Sequence, residues 1–510
     1  MRSTLLWCAC LVLLFGCAYS GQVLRKIKEN VFRAQNQKAK QHLLQHSATG
    51  HQPTYRVKEG LIRQPLDQFD SQSTQTIPQR FFVNEEYWDR PDGPVFLYIG
   101  GEGAISELSV LYGHHVQMAE ENGALLVALE HRFYGRSINP DGLDVVNLRH
   151  LSSRQALVDL AAFHRYISER YDLSSQNTWI SFGGSYAGAL SAWLRGKFPH
   201  LIYGAVASSA PVKAMLDFST YNQVVGESLT NEAVGGSDKC LGTVWEAFAA
   251  LETALLEGNV TKVGKDFSCC EPPVEPEDQA ELVQSLADIF MGTVQYNKEG
   301  GPLTIGQICD VLTNKSEETQ QGEGPYSRLV NLAMIYRAAV EEPCLIISHK
   351  QAVLELQNTD LKSSGFGYRQ WYYQSCTEFG FFETCEDASC PFARMVTLQS
   401  QMELCPLVFG IAQGSLQSRI AFTNQFYGGD HPQTQRVLYV NGDIDPWHKL
   451  SVVRNGTKED KDRVVLIEGT AHCADMNRAG SQDSPALRKA RQEIKRHVTQ
   501  WLKSAAAQSV

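Results

Sequence analysis

Ser185 stands in the run Ser181-Phe-Gly-Gly-Ser-Tyr-Ala-Gly188, at the end of an apolar stretch (177–182) and before residues 186–197, which read as a helix. A serine on a sharp strand-to-helix turn is held out from a sheet with its hydroxyl exposed, and small neighbours let the backbone turn there. Ser185 is therefore a candidate nucleophile. The run departs from strict Gly-x-Ser-x-Gly, because Ala187 occupies the second glycine position. By itself it also describes a glycine-rich loop opening a helix.

A serine nucleophile needs a histidine to take its proton and a carboxylate to orient that histidine. Two late apolar runs, 436–441 and 463–468, end in loops of suitable composition. The first leads into Asn441-Gly-Asp443-Ile-Asp445-Pro-Trp447-His448, the second into Gly469-Thr-Ala-His472-Cys-Ala-Asp475. The chain order Ser, Asp, His, each past a strand end, is that of the α/β-hydrolase architecture. His448 is a rival base, but it shares the acid's loop, so His472 fits better. Asp443, Asp445 and Asp475 all compete as the acid. Pro446 restricts the residue before it to an extended conformation, which favours Asp445 as the firmly held one. Asp475 reads as the cap of the turn after His472.

An oxyanion hole needs two backbone N–H donors. The N–H of Tyr186, directly after the nucleophile, is one candidate. The loop Gly100-Gly101-Glu102-Gly103 offers Gly101 as the second. Glu102 could fix that loop or meet a substrate amine.

These loops need a sheet to carry them. Apolar runs at 95–100, 124–130, 177–182 and 202–207 read as buried strands, and 153–171 shows a helical period. Alternation of the two predicts a mostly parallel sheet with helices on both faces. The pattern breaks near 213, becomes helical, charged and cysteine-rich, and resumes near 421. It closes with an amphipathic helix over 485–503. The expected organisation is a signal peptide (1–20), a basic leader (21–55, mobile or a surface helix), a first α/β part (56–212), a helical insertion (213–420) and a second α/β part (421–510).

The bulk composition narrows the partners. The chain has 510 residues and a net charge of −10, which carries no nucleic-acid footprint. The apolar run near the N-terminus has the length and flanks of a secretory signal rather than of a membrane span, and no other run reaches that length. Ten cysteines follow it, nine of them between 240 and 405, an even number that suggests disulfides. No paired Cys-x₂-Cys pattern supports zinc, and no cofactor is implied. Asn259, Asn314 and Asn455 open glycosylation sequons. The oligomeric state, a homodimer included, is left open.

Six segments together are more specific than any one. They are Gly100–Gly103, Glu130-His-Arg-Phe-Tyr-Gly-Arg-Ser137, Gly183–Gly188, Trp371-Tyr-Tyr-Gln-Ser-Cys-Thr-Glu378, Asn441–Trp447 and Ala471–Asp475. In this order they resemble the lysosomal Pro-Xaa carboxypeptidase and dipeptidyl peptidase II family of serine peptidases. The resemblance implies an α/β-hydrolase domain with a helical cap inserted before the acid. It also implies hydrolysis of short peptides in endosomal or lysosomal vesicles, often after proline, by Ser185, Asp445 and His472. Trp447 matches an aromatic position of the family's proline pocket. Ala189 and Met476 are smaller or more flexible than the side chains implied there, so the expected preference widens to proline or small apolar residues. Glu130 and Arg132 are read as a structural pair holding neighbouring loops. Two other readings remain: a carboxylesterase on the same fold, and a catalytically inactive binding module.

Overall fold

The computed structural model describes residues 22–48, 57–313, 324–361, 367–454 and 463–508. The expected signal peptide and the sequons at Asn314 and Asn455 lie outside the described residues. The strands, in chain order, are β1 (Lys58–Pro65), β2 (Thr76–Asn84), β3 (Val95–Ile99), β4 (Leu125–Leu129), β5 (Trp179–Gly184), β6 (Gly204–Ser208), β7 (Met215–Asp217), β8 (Gly380–Phe382), β9 (Val437–Gly442) and β10 (Val464–Ile467). Eight of them form one sheet in the order β1-β2-β4-β3-β5-β6-β9-β10. From β4 to β10 the neighbours run parallel, while β1 and β2 close one edge antiparallel. β7 and β8 pair separately. This is a mostly parallel α/β-hydrolase sheet.

Successive residues of a strand point to opposite faces, and here both faces are covered. Val95, Leu97, Leu125 and Val127 pack with the helices Ser153–Tyr171 and Tyr186–Lys197. Phe96, Leu126, Phe182 and Val440 pack with His114–Asn122 and Pro485–Gln508. The helix Ser153–Tyr171 is capped by Ser152, whose hydroxyl accepts from the Gln155 N–H.

The expected strands are found to within about two residues, but β1 and β2 were not foreseen. β1 is largely exposed, and β2 buries Gln79 and Arg80 in its middle. Part of their polar capacity is met by distant partners, although Gln79 Oε1 and Arg80 Nε stay without one among the described residues. Gln79 donates to the Glu130 carbonyl, and Arg80 reaches the Glu130 carboxylate and the Ile105 carbonyl.

Between β6 and β9 the chain is mostly helical. It is tied by the disulfides Cys240–Cys309, Cys270–Cys344, Cys376–Cys405 and Cys385–Cys390. Cys269 and Cys473 are unpaired, so the pairing expected of the ten cysteines covers eight. In the leader, residues Gln22–Ala48 form the helix that was one of the two expectations, and one stripe of it is packed rather than free, which excludes the mobile alternative. Val23, Ile27 and Val31 recur every fourth residue and are buried, and Ile27 packs on Gly292 of the helix Pro276–Gln295. This is an ordinary apolar helix stripe set in a basic, glutamine-rich background.

Glu130 and Arg132 do not pair with each other. The Glu130 carboxylate accepts from Arg80, Ser137 and the N–H groups of Ile105 and Arg136. Arg132 makes a two-pronged contact with Asp159 at 2.6 and 2.7 Å and donates to three carbonyls, those of Pro65, Leu66 and His150. Both side chains of the Arg132–Asp159 pair are fully buried. Removing one partner of such a pair strands the other charge, at about 3–5 kcal/mol. Asp159→Ala is therefore expected to lower the unfolding free energy by that much in denaturant titration. An unfolding free energy within about 1 kcal/mol of wild type would mean that Arg132 finds another anion.

Candidate active site

Ser185 lies between β5 and the helix Tyr186–Lys197, with φ 58° and ψ −132°. A positive φ at a non-glycine residue is strained backbone, which the surrounding structure must hold. Two features hold it. The Ser185 N–H donates to the Ser208 carbonyl at 2.9 Å, and the flanking glycines leave room for close contacts. A side chain at Gly183 would strike the backbone of Ala187, and one at Gly184 would strike Met476 and Cys473. The Ser185 hydroxyl makes no hydrogen bond among the described residues. It therefore faces the cavity unengaged, and the loop carrying His472 packs directly against the neighbouring Gly184.

Asp445 follows β9 in an extended conformation and is fully buried. Its Oδ2 lies 2.9 Å from Nδ1 of His472, and its Oδ1 accepts from the Trp447 N–H at 3.1 Å. Asp443 and Asp475 are engaged elsewhere. Asp443 accepts from the Gly469 N–H at 2.7 Å, and Asp475 accepts from the Ser208 hydroxyl at 2.5 Å. Burial pushes the Asp475 carboxyl up to about 6. The ring of His448 is turned to the Asp445 carbonyl, 2.7 Å away. Burial disfavours a charged His472, but the Asp445 carboxylate, together with Cys473, outweighs it and raises the imidazole well above its ordinary range.

The helical insertion also positions this loop. The Gln295 carbonyl accepts the His472 N–H at 2.9 Å. The Gln295 side chain accepts from Trp447 Nε1 at 3.1 Å and from the Tyr221 hydroxyl at 2.6 Å. Tyr186 is held in the same manner. Its hydroxyl lies 3.0 Å from His131 and accepts from Gln374 at 3.1 Å, which joins two of the six sequence segments at the residue after Ser185. Gln374 lies within the Trp371–Glu378 segment, whereas Gln295 had no readable signal, because its partners lie far away in the chain.

The Tyr186 N–H, at the first helical position, has no intrahelical acceptor. Gly101 lies against Ala187, so close that a Cβ on Gly101 would be 3.3 Å from the Ala187 Cβ. Ser185, His472, Trp447, Glu102, Gly101 and Met476 all line one cavity of about 660 Å³. Ala189 does not. It is fully buried in the core beneath the turn, and Ala187 lines the cavity instead. Glu102 is paired. Lys28 of the first helix donates to it at 2.7 Å and holds its carboxyl below the usual range despite burial. Leu24, Arg25, Lys28, Phe32 and Ala39 place that helix on the cavity wall. Asn259, the sequon within the described residues, is exposed.

The sheet order, the turn at Ser185 and the buried Asp445–His472 contact define a protein of the α/β-hydrolase class. The chain belongs to the serine carboxypeptidase S28 family, whose model matches residues 64–494, and is a serine peptidase of that family. It is 43% identical to mouse thymus-specific serine protease over 97% of this chain and 96% of that protein. The human thymus-specific serine protease is 42% identical over 97% and 96%. Bovine lysosomal Pro-X carboxypeptidase is 25% identical over 88% and 89%. No helix among the described residues is long and apolar enough to cross a membrane.

Proposed function

We propose that this chain hydrolyses short peptides through an acyl-enzyme on Ser185. His472 takes the serine proton and returns it to the leaving amine. Asp445 holds the imidazole in the tautomer whose Nε2 is free to act. The N–H groups of Tyr186 and Gly101 receive the developing oxyanion. The observation that carries this reading is the buried Asp445–His472 contact opening into the same cavity as the strained Ser185 turn.

The cavity supports peptides as substrates. The first helix and the helical insertion both contribute to its wall, so a chain end can enter where a folded domain cannot. Trp447, Trp371 and Tyr296 give one side of it an aromatic lining, a surface suited to a proline ring or a small apolar residue on the acyl side of the cut. The name of the bovine Pro-X relative points the same way. Four disulfides and the exposed Asn259 sequon support passage through the secretory pathway, and we place the activity in endosomal or lysosomal vesicles.

A fluorophosphonate probe, followed by a digest of mixed peptides read by mass spectrometry, tests this. Ser185 is expected to carry the label, short peptides to be cut, and a native globular protein to survive. Labelling without peptide cleavage, together with turnover of simple esters, would replace the peptidase reading with an esterase one.

A further inference from the structure

Four charged side chains line the cavity besides His472: Arg25, Lys28, Glu102 and Glu383. Three of them are spent. Arg25 reaches Glu355 at 2.8 Å, and Lys28 and Glu102 hold each other at 2.7 Å. Glu383 is different. Among the described residues no lysine, arginine or histidine comes within ion-pairing distance of its carboxylate, and no side chain or backbone N–H donates to it. Glu383 is half-buried and opens on the cavity, where a cationic group of a substrate can reach it. Burial, with Asp288 adding a like charge, pushes the Glu383 carboxyl up to about 8, so in a neutral or acidic compartment it holds its proton until a cation beside it displaces that proton. Asp288 cannot share a cation with it freely, because its own oxygens already accept from Gln284 and from the Leu24 N–H.

The position of Glu383 is fixed by its neighbours. It directly follows β8, whose register with β7 pairs Gly380 with Met215 and Phe382 with Asp217. Its carbonyl accepts from Gln401 at 2.8 Å. Thr384 donates to Asp217, and Cys385 is bonded to Cys390. Such a residue is preorganised rather than adrift on a loop. It also lies near the chemistry, lining the same cavity as Ser185, His472 and Trp447.

We propose that Glu383 is the acidic half of a substrate subsite, which takes a cationic group of the peptide beside the aromatic wall formed by Trp447 and Trp371 and becomes a carboxylate when that cation binds. The cation is an ammonium or guanidinium, supplied by a lysine or arginine side chain or by the free α-amine of the peptide. The inference rests on the peptidase reading of this cavity.

The test uses the full chain and matched peptides that differ in a single charge. One pair exchanges lysine for methionine near the scissile bond. A second pair differs only in acetylation of the N-terminus. Wild type is expected to favour the cationic member of one pair by about tenfold in kcat/KM, the worth of one hydrogen bond to a charged group. The pair that responds identifies the source of the cation. Glu383→Gln is expected to abolish that preference through KM, while turnover of the neutral peptide and fluorophosphonate labelling stay as in wild type. Glu383→Lys is expected to turn the preference toward a matched glutamate peptide. Equal rates within both pairs for wild type would overturn the proposal, as would a preference that survives in Glu383→Gln. Should Glu383→Gln fail to label, the wild-type pairs alone decide. Absence of labelling and of all peptide cleavage in wild type would instead count against the peptidase reading.

Discussion

Ser185→Ala is expected to abolish turnover, with a loss in kcat of up to about 10⁶-fold, the scale measured when a triad serine is removed from a protease. The same substitution is expected to leave the fold intact. The Ser185 hydroxyl makes no hydrogen bond among the described residues, so its removal leaves no buried partner unsatisfied. Alanine does nothing to relieve the positive φ, 58°, because the strain comes from the Cβ that both residues share. Glycine does relieve it, so Ser185→Gly is expected to be inactive and at least as stable as wild type. Fluorophosphonate labelling, single-turnover kinetics and thermal melting check these outcomes together. A Ser185→Ala protein that kept a tenth of wild-type activity would remove Ser185 from the mechanism. A Ser185→Gly protein clearly less stable than wild type would mean that the serine side chain has a packing role.

The elements that carry these residues were legible because they are apolar without interruption. β3, β4, β5, β6 and β9 are parallel strands buried between two helical layers, and β10 at the edge is apolar as well although Leu466 is exposed, so each reads as a short hydrophobic run that ends where a loop begins. β2 escaped notice because Gln79 and Arg80 sit inside it, and only the folded chain supplies Glu130 as their partner. A helix was one of the two forms expected near the N-terminus, but its packed face was hidden for the opposite reason. Its apolar stripe is regular but thin, and the basic residues around it dominate the composition. Lys28 then proves to be one of the side chains that matter, since it neutralises Glu102 on the cavity wall. The pocket was the least legible part. Ala189 is only four residues from Ser185, yet one turn of helix carries it into the core. Gln295, Gln374 and Glu383 come from the insertion, and nothing local in their sequence marks them as neighbours of residues so far along the chain.

Asp445→Asn is expected to lower kcat by about 10⁴-fold, as the equivalent change does in a known triad. Asparagine keeps the shape of the side chain and can still accept from the Trp447 N–H. What it loses is the charge 2.9 Å from Nδ1 of His472. Two consequences can be separated. The amide can present an N–H to the ring, which favours the wrong tautomer and lowers the rate at every pH. It also withdraws the carboxylate that raises the His472 imidazole against burial. The base must be neutral to accept a proton, so kcat/KM falls as pH drops through the imidazole value. In wild type that acid limb is expected above the ordinary histidine value of about 6.5. In Asp445→Asn the residual activity is expected to keep its limb at lower pH than wild type, because burial is then opposed by Cys473 alone among the main influences on the ring. Asp443→Asn provides the control. Its carboxylate binds the Gly469 N–H rather than the ring, so a loss under about tenfold and an unmoved limb are expected. The opposite ranking of the two asparagine variants would transfer the orienting role to Asp443. The wild-type limb also bears on location, because a base that charges above the ordinary histidine value loses activity in the most acidic vesicles. A limb well below that value would show instead that burial, not Asp445, governs His472, and would fit turnover at full lysosomal acidity.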